Sequence, residues 1–487
     1  MRKYLIEIKN NKSWKKYFGV LFAIYIIALF PIFRGNMNYI DDIARVYEGY
    51  AQWEYYSRYM SNFLSHIVHT GWYLPDISPL PQLLAVGIIV ISSLIIIYLI
   101  KEEKEINIWD IIASIPVGLS PYFLECLSFK YDAPYMAISV LASVAPLLIR
   151  RRKAVIYCMS IVMGTLLMCT TYQASAGIFP AIVIMLAFLD WNNQDEWKEI
   201  LAFIIKSAIG YLSGLGIFIL FIMKHVEGDY SNNIAKFKEI IVHYIYYLKY
   251  VVTDFRKIWL LTIAVIIITF IILAVIESKK NKVAASILAL LTSILMLLLS
   301  FGLYPALEVP EFQPRSMYGL GIIIALFAIG GVNYRKRSCF QKVTVCILGW
   351  MFIVFATTYG NAFKVQDNYT DFRIQEVIQD LSQVDEISNN EECVVQIDGT
   401  IGYAPIIKNM PQNYNMLNRL IPITFCGKWI WGGYKFYNYY GLTNVKWEED
   451  KDVDNYQDWP LIQKSAYHEI YEQDNHIVIR LKENIVQ

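Results

Sequence analysis

Residues 38–58, NYIDDIARVYEGYAQWEYYSR, gather two adjacent carboxylates, two arginines and six aromatic rings. Asp41 and Arg45 are four positions apart and Asp42 and Arg45 three, so on a helix either carboxylate can meet the same guanidinium. An arginine that close keeps an aspartate ionised. An ionised carboxylate beside a membrane cavity can take a proton from a hydroxyl, as a general base does. Adjacent helical side chains point about 100° apart, so only one of the two is aimed at a given atom. The same residues would also serve as a plain helix start, with Asp in the first turn pairing with Arg45.

A set of cations accompanies them. Arg45, Arg58, Lys130 and Arg315 all stand near the ends of apolar runs. Arginine offers a planar fork of donors that fits phosphate, whereas lysine offers a point charge. Each alone also reads as a side chain snorkelling to the membrane surface. His66 and His69 are three apart but lack a matching Asp or Glu, so no metal site is expected there. Asp41 and Asp42 together could hold a divalent ion, but none is expected, nor any other cofactor. The sequence has no glycine-rich phosphate loop, no Ser-His-Asp arrangement and no nucleotide motif. An activated donor must therefore reach these residues through the membrane.

Apolar elements must position this chemistry. The 487 residues are 56% hydrophobic and 17% charged, against about 25% charged in soluble proteins. The excess lies in blocks such as Leu83 to Ile100, Ile258 to Ile276 and Val283 to Phe301, which read as membrane helices. Eleven spans are expected, near 18–33, 81–100, 108–124, 134–149, 154–169, 175–189, 200–223, 258–276, 283–301, 317–333 and 343–360. The loops on one side carry 20 basic residues and those on the other 11. The richer side is cytoplasmic by the positive-inside rule. That puts the N-terminus inside, and Asp41, Asp42, Lys130 and everything from Asn361 outside. The net charge of +1 gives no reason to expect nucleic acid as a partner. The seven cysteines show no CxxC or metal-ligand spacing and read mainly as small core residues.

Two polar stretches look interfacial. Ala44 to Val68 alternates tyrosines with charges, and Ile240 to Tyr250 is tyrosine-rich, as suits rings at headgroup depth. The tail beyond 360 has strand-like runs at 393–397 and 476–481 and a helical run at 372–381. This divides the chain into a transmembrane part, 1–360, and a small α+β extracytoplasmic domain, 361–487.

Four segments, taken together and in order, resemble the GtrII-like family of membrane glucosyltransferases: FRGNMNYIDDIARVYEGYAQW, DISPLPQLL at 76–84, PYFLECLSFKYDAPYMAIS at 121–139 and TTYQASAGIFP at 170–180. Arg315, in PEFQPRSMYG, is a further match. The resemblance implies an all-α GT-C type bundle that takes a hexose, glucose by analogy, from a polyprenyl-phosphate carrier. The acceptor would be a surface polysaccharide such as O-antigen or a wall glycan. Asp41 and Asp42 match the position of the family's acidic motif. Cys126 and Lys130 stand where the family pattern has Asn and Arg, so Lys130 would meet a phosphate without the fork.

The resulting expectation is an inverting transferase with Asp41 or Asp42 as base. Arg45, Arg58, Lys130 and Arg315 would hold the carrier phosphate, and Glu125, Asp132 and Gln173 would bind sugar hydroxyls. Trp53, Tyr131 and Tyr172 would stack on sugar rings. Trp429, Trp431, Tyr434 and Tyr437 would let the tail meet the acceptor. The expected partners are the bilayer, the polyprenyl-phosphate sugar, the acceptor glycan and the enzymes that make and flip the donor. The rival readings are a flippase of lipid-linked glycans and a non-catalytic scaffold. A flippase should carry ionisable residues at mid-membrane depth in related halves, and the expected spans are nearly free of charge.

Overall fold

In lipid the backbone can bond only to itself, and the apolar runs are accordingly helices. The computed structural model describes residues 12–101, 105–193, 196–224, 233–334, 338–384, 387, 393–427, 430–442, 445–447 and 455–483. Among these, nine helices are long and apolar enough to cross a membrane: Trp14–Gly35, Leu80–Lys101, Ala154–Thr171, Gln173–Asn192, Trp197–Ile222, Lys257–Glu277, Lys282–Leu299, Pro314–Val332 and Cys339–Leu381. The third expected span is broken. Ile108–Leu119 and Pro121–Ser128 meet at a 58° bend, with Pro121, which has no backbone N–H to donate, opening the second piece. The fourth, Ala133–Ile149, falls short of the length of the others.

Ion pairs tie the bundle together away from the 38–58 stretch. Lys101 Nζ lies 2.6 Å from Asp110 Oδ2, whose other oxygen accepts from Asn333 at 2.8 Å. Arg150 and Asp190 form a two-pronged pair at 2.7 and 3.1 Å.

The stretch after the first span folds as two short helices, Asp42–Glu48 and Tyr59–Val68, with one turn of 3₁₀ helix at Trp53–Tyr56 between them. Gly49 ends the first at φ +66°, where a β-carbon would also strike the Tyr73 ring at 2.3 Å. Tyr47, Tyr55, Phe63 and Ile67 stay exposed. The other tyrosine-rich stretch is the helix Phe237–Asp254, which exposes Ile241, Val242, Ile245 and Leu248.

The last span does not stop where its hydropathy does. One helix of 44 residues runs from Ser338 to Leu381, about 66 Å at 1.5 Å per residue and roughly twice the hydrocarbon thickness. It passes residue 360 unbroken. Its far end buries Ile374, Val377 and Leu381 against Val395, Ile397, Ile470, Ile477 and Ile479. Those residues belong to a five-stranded mixed sheet: β1 (Cys393–Gly399), β2 (Val445–Trp447), β3 (Leu461–Lys464), β4 (His468–Gln473) and β5 (His476–Leu481). The strand order is β2-β1-β5-β4-β3, with β1 parallel to both neighbours and β3-β4-β5 antiparallel. Arg373, fully buried, donates to the Tyr467 and Lys482 carbonyls at 2.5 and 2.9 Å and so fastens helix to sheet. Residues between the first two strands pack elsewhere: Ala404, Ile407, Met416, Leu417, Leu420 and Ile421 join the core of the helical bundle.

Candidate active site

The turn that carries the two aspartates is strained. Ile40, a β-branched residue, has φ +46°, a conformation that costs about 1–3 kcal/mol and needs surroundings that enforce it. Asp42 supplies part of that enforcement. Its carboxylate accepts from the amides of Tyr39 at 3.3 Å, Lys130 at 2.8 Å and Tyr131 at 3.5 Å. It is wholly buried, and it pins the start of Asp42–Glu48 onto the turn before Ala133–Val144. Burial pushes its pKa up to about 7, the nearby Asp132 charge adds to this, and Arg45 and the Lys130 amide oppose it.

Asp41, one residue earlier, is only partly buried. Among the described residues nothing donates a hydrogen bond to its carboxylate and no cation pairs with it. Burial raises its pKa, Arg45 lowers it, Asp132 raises it, and Arg315 and Arg58 lower it, with a net rise. The charges of three arginines thus act on a carboxylate that none of them pairs with.

The cations divide by what they already hold. Arg45 is buried, forms an ion pair with Asp132 and lies 4.3 Å over the Trp53 ring. Trp53 Nε1 donates to the other Asp132 oxygen at 2.5 Å, so Arg45, Asp132 and Trp53 form one closed set. Lys130 Nζ, also buried, donates to Asn38 Oδ1 at 2.7 Å and Asp76 Oδ2 at 2.9 Å. Arg315 is partly exposed, and its Nη1 lies 2.9 Å from Glu125 Oε1. Its own amide donates to Glu125 Oε2 at 2.6 Å, while Tyr39 Oη donates to Oε1 at 3.3 Å. Glu125 is therefore a buried rest for Arg315. Arg58 has no carboxylate partner among the described residues. Its Nε donates to Gln173 Oε1 at 3.2 Å, and it lies 4.5 Å over the Tyr172 ring and 5.2 Å over Tyr56.

Residues 30–326 match the family model described as "Glucosyl transferase GtrII". The chain belongs to the GtrII glucosyltransferase family. It is also 25% identical over 237 residues to an uncharacterized 55.3 kDa protein in the gtrB 5′ region of Salmonella phage P22, covering 48% of each chain. The chain thus spans about half the length of that curated relative. No solved structure matches.

All the predicted catalytic, phosphate and sugar residues, from Asp41 to Arg315, fall inside the GtrII match. Asp41, Arg58 and Arg315 are the charged members that keep some exposure. Tyr131 lies buried against His69 with ring centroids 5.5 Å apart, and Tyr172 is buried with its hydroxyl donating to the Arg315 carbonyl at 3.2 Å. Gln173 donates onward to the Tyr56 carbonyl at 2.9 Å. Of the tail aromatics, Trp429 lies outside the described residues, and Tyr437 donates to the Val395 carbonyl of the sheet at 3.3 Å. Trp431 and Tyr434 stay near the first loop, Tyr434 donating to Glu48 at 2.7 Å.

Sequence reasoning missed Asn38, Tyr39 and Asp76, which brace Lys130 and Glu125, although all three lie in or beside the quoted family segments. It also missed Arg419, which pairs with the buried Asp254, and Tyr439. Tyr439 donates to the Ile43 carbonyl at 2.7 Å and accepts from Asn38 Nδ2 at 3.1 Å. No local signal marks either, because each acts on a segment more than 160 positions away.

Proposed function

We propose that this GtrII protein transfers glucose, with inversion, from a polyprenyl-phosphate carrier to a hydroxyl of a surface polysaccharide, on a GT-C type bundle in the cell membrane. The reaction takes place at the extracytoplasmic face, where the excess of basic residues in the opposite loops would put residues 36–79. Asp41 is the base. The acceptor oxygen attacks the anomeric carbon, its proton passes to Asp41, and the bond to the phosphate oxygen breaks with its electron pair kept by the phosphate. Arg58 and Arg315 receive that charge, Arg58 directly and Arg315 by turning from Glu125. Arg45, Asp132, Lys130 and Asp42 hold the site in shape. A lipid-borne phosphate suits this arrangement because it needs cations at the membrane surface and no nucleotide pocket.

The observation that carries this reading is the partly exposed Asp41 carboxylate, which no donor or cation among the described residues engages, in the same loop as Arg58, which holds only Gln173 and aromatic rings. The test is a transfer assay with purified protein, polyprenyl-phosphate glucose and acceptor glycan, with and without chelator. Wild type should transfer glucose at a rate the chelator leaves unchanged. Failure of wild type to consume the donor overturns the reading, as does full activity of Asp41→Asn.

A further inference from the structure

The Asp41 turn is held from a place the family match does not reach. Residues 30–326 match the GtrII model, whereas Tyr439 comes more than a hundred positions later. Its hydroxyl donates to the carbonyl of Ile43 at 2.7 Å, in the first turn of Asp42–Glu48. The same oxygen accepts from Asn38 at 3.1 Å, on the other side of the strained Ile40. Asn38 in turn accepts from Lys130, which is anchored to Asp76. One hydroxyl thus bridges the two flanks of a backbone conformation that an isoleucine does not hold unaided. A second strap from the same segment, Tyr434 to Glu48 at 2.7 Å, fixes the far end of the short helix. Lys435, between them, is tied to Asp367 and Asp371 of the long helix at 3.1 and 2.5 Å, which gives the segment a firm base.

We propose that Tyr439 is a positioning residue: it closes the strained turn and so aims the Asp41 carboxylate at the reacting hydroxyl. This rests on the reading of Asp41 as base. The C-terminal segment is then part of the active site's frame. Displacing a reacting group by about 1 Å costs on the order of a hundredfold in rate, so losing one of several braces should cost roughly tenfold.

The experiment compares Tyr439→Phe with wild type, in kinetics and in hydrogen exchange of the amides at 38–48. Phenylalanine keeps the ring and its packing and removes only the hydroxyl. We expect kcat to fall about tenfold with the KM for polyprenyl-phosphate glucose changed less than about twofold. Exchange at 38–48 should rise while exchange in the membrane helices stays as it was. An unchanged kcat overturns the proposal, and so does a fall in kcat without faster exchange at 38–48. Should wild type not use this donor at all, the proposed reaction fails separately, and the exchange data still decide whether Tyr439 holds the turn.

Discussion

Asp41 and Asp42 are chemically identical neighbours with different work. Asp42 satisfies backbone amides from two segments, so Asp42→Ala would leave buried N–H groups unpaired and cost about 1–3 kcal/mol each. We expect a lower unfolding temperature together with lost activity. Asp41 satisfies nothing in the fold. Asp41→Asn should leave the unfolding temperature within about a degree while transfer falls by 10²- to 10⁴-fold, the usual worth of a positioned base. The pH profile follows from the direction of its shift. A raised pKa means that the working, deprotonated form is lost as pH falls through a value above the ordinary carboxylate range. The acid limb of kcat/KM should thus lie above about 4, with activity rising as pH rises through it. A limb at or below that value would contradict the assignment. Arg58, which has no carboxylate partner among the described residues, should act mainly on the donor. Arg58→Ala should raise the donor KM about tenfold or more, and Arg58→Lys should restore only part of it, because lysine lacks the fork.

At the scale of elements, much was legible. Lipid admits little except helices, so runs such as Leu83 to Ile100 could be read directly as elements, and the strands at 393–397 and 476–481 showed themselves as short apolar runs. The break at Pro121 and the continuity past residue 360 were not legible as such. Asn361, Lys364, Gln366 and Asp367 look like an exit from the membrane, which they suit, but polarity does not end a helix without a cap or a breaker. The candidate site was readable only as residue types: Asp41, Arg58 and Arg315 stood out by their chemistry. Which aspartate was free was not, because the amides that occupy Asp42 belong to Lys130 and Tyr131, almost ninety positions on. The long helix makes its own prediction. Arg373→Ala would remove two bonds to sheet-side carbonyls and a buried stem, costing about 3 kcal/mol. Proteolysis or hydrogen exchange should show the sheet loosening while the bundle keeps its unfolding temperature.

Over the whole molecule, apolar helices carry the polar, aromatic loop of residues 36–79, and segments from both ends of the sequence meet there. Its sidedness can be tested with a cysteine placed at the exposed Tyr47. Tyr47→Cys should react with a membrane-impermeant thiol reagent in intact cells above the wild-type background, and labelling only after lysis would reverse the orientation. Because Met416, Leu417 and Leu420 are packed into the bundle's core, the ribosome must deliver some 420 residues before that core can close. A message cut short after codon 381 should therefore yield a chain that inserts its helices yet exposes a greasy seam, and quality-control proteases should remove it.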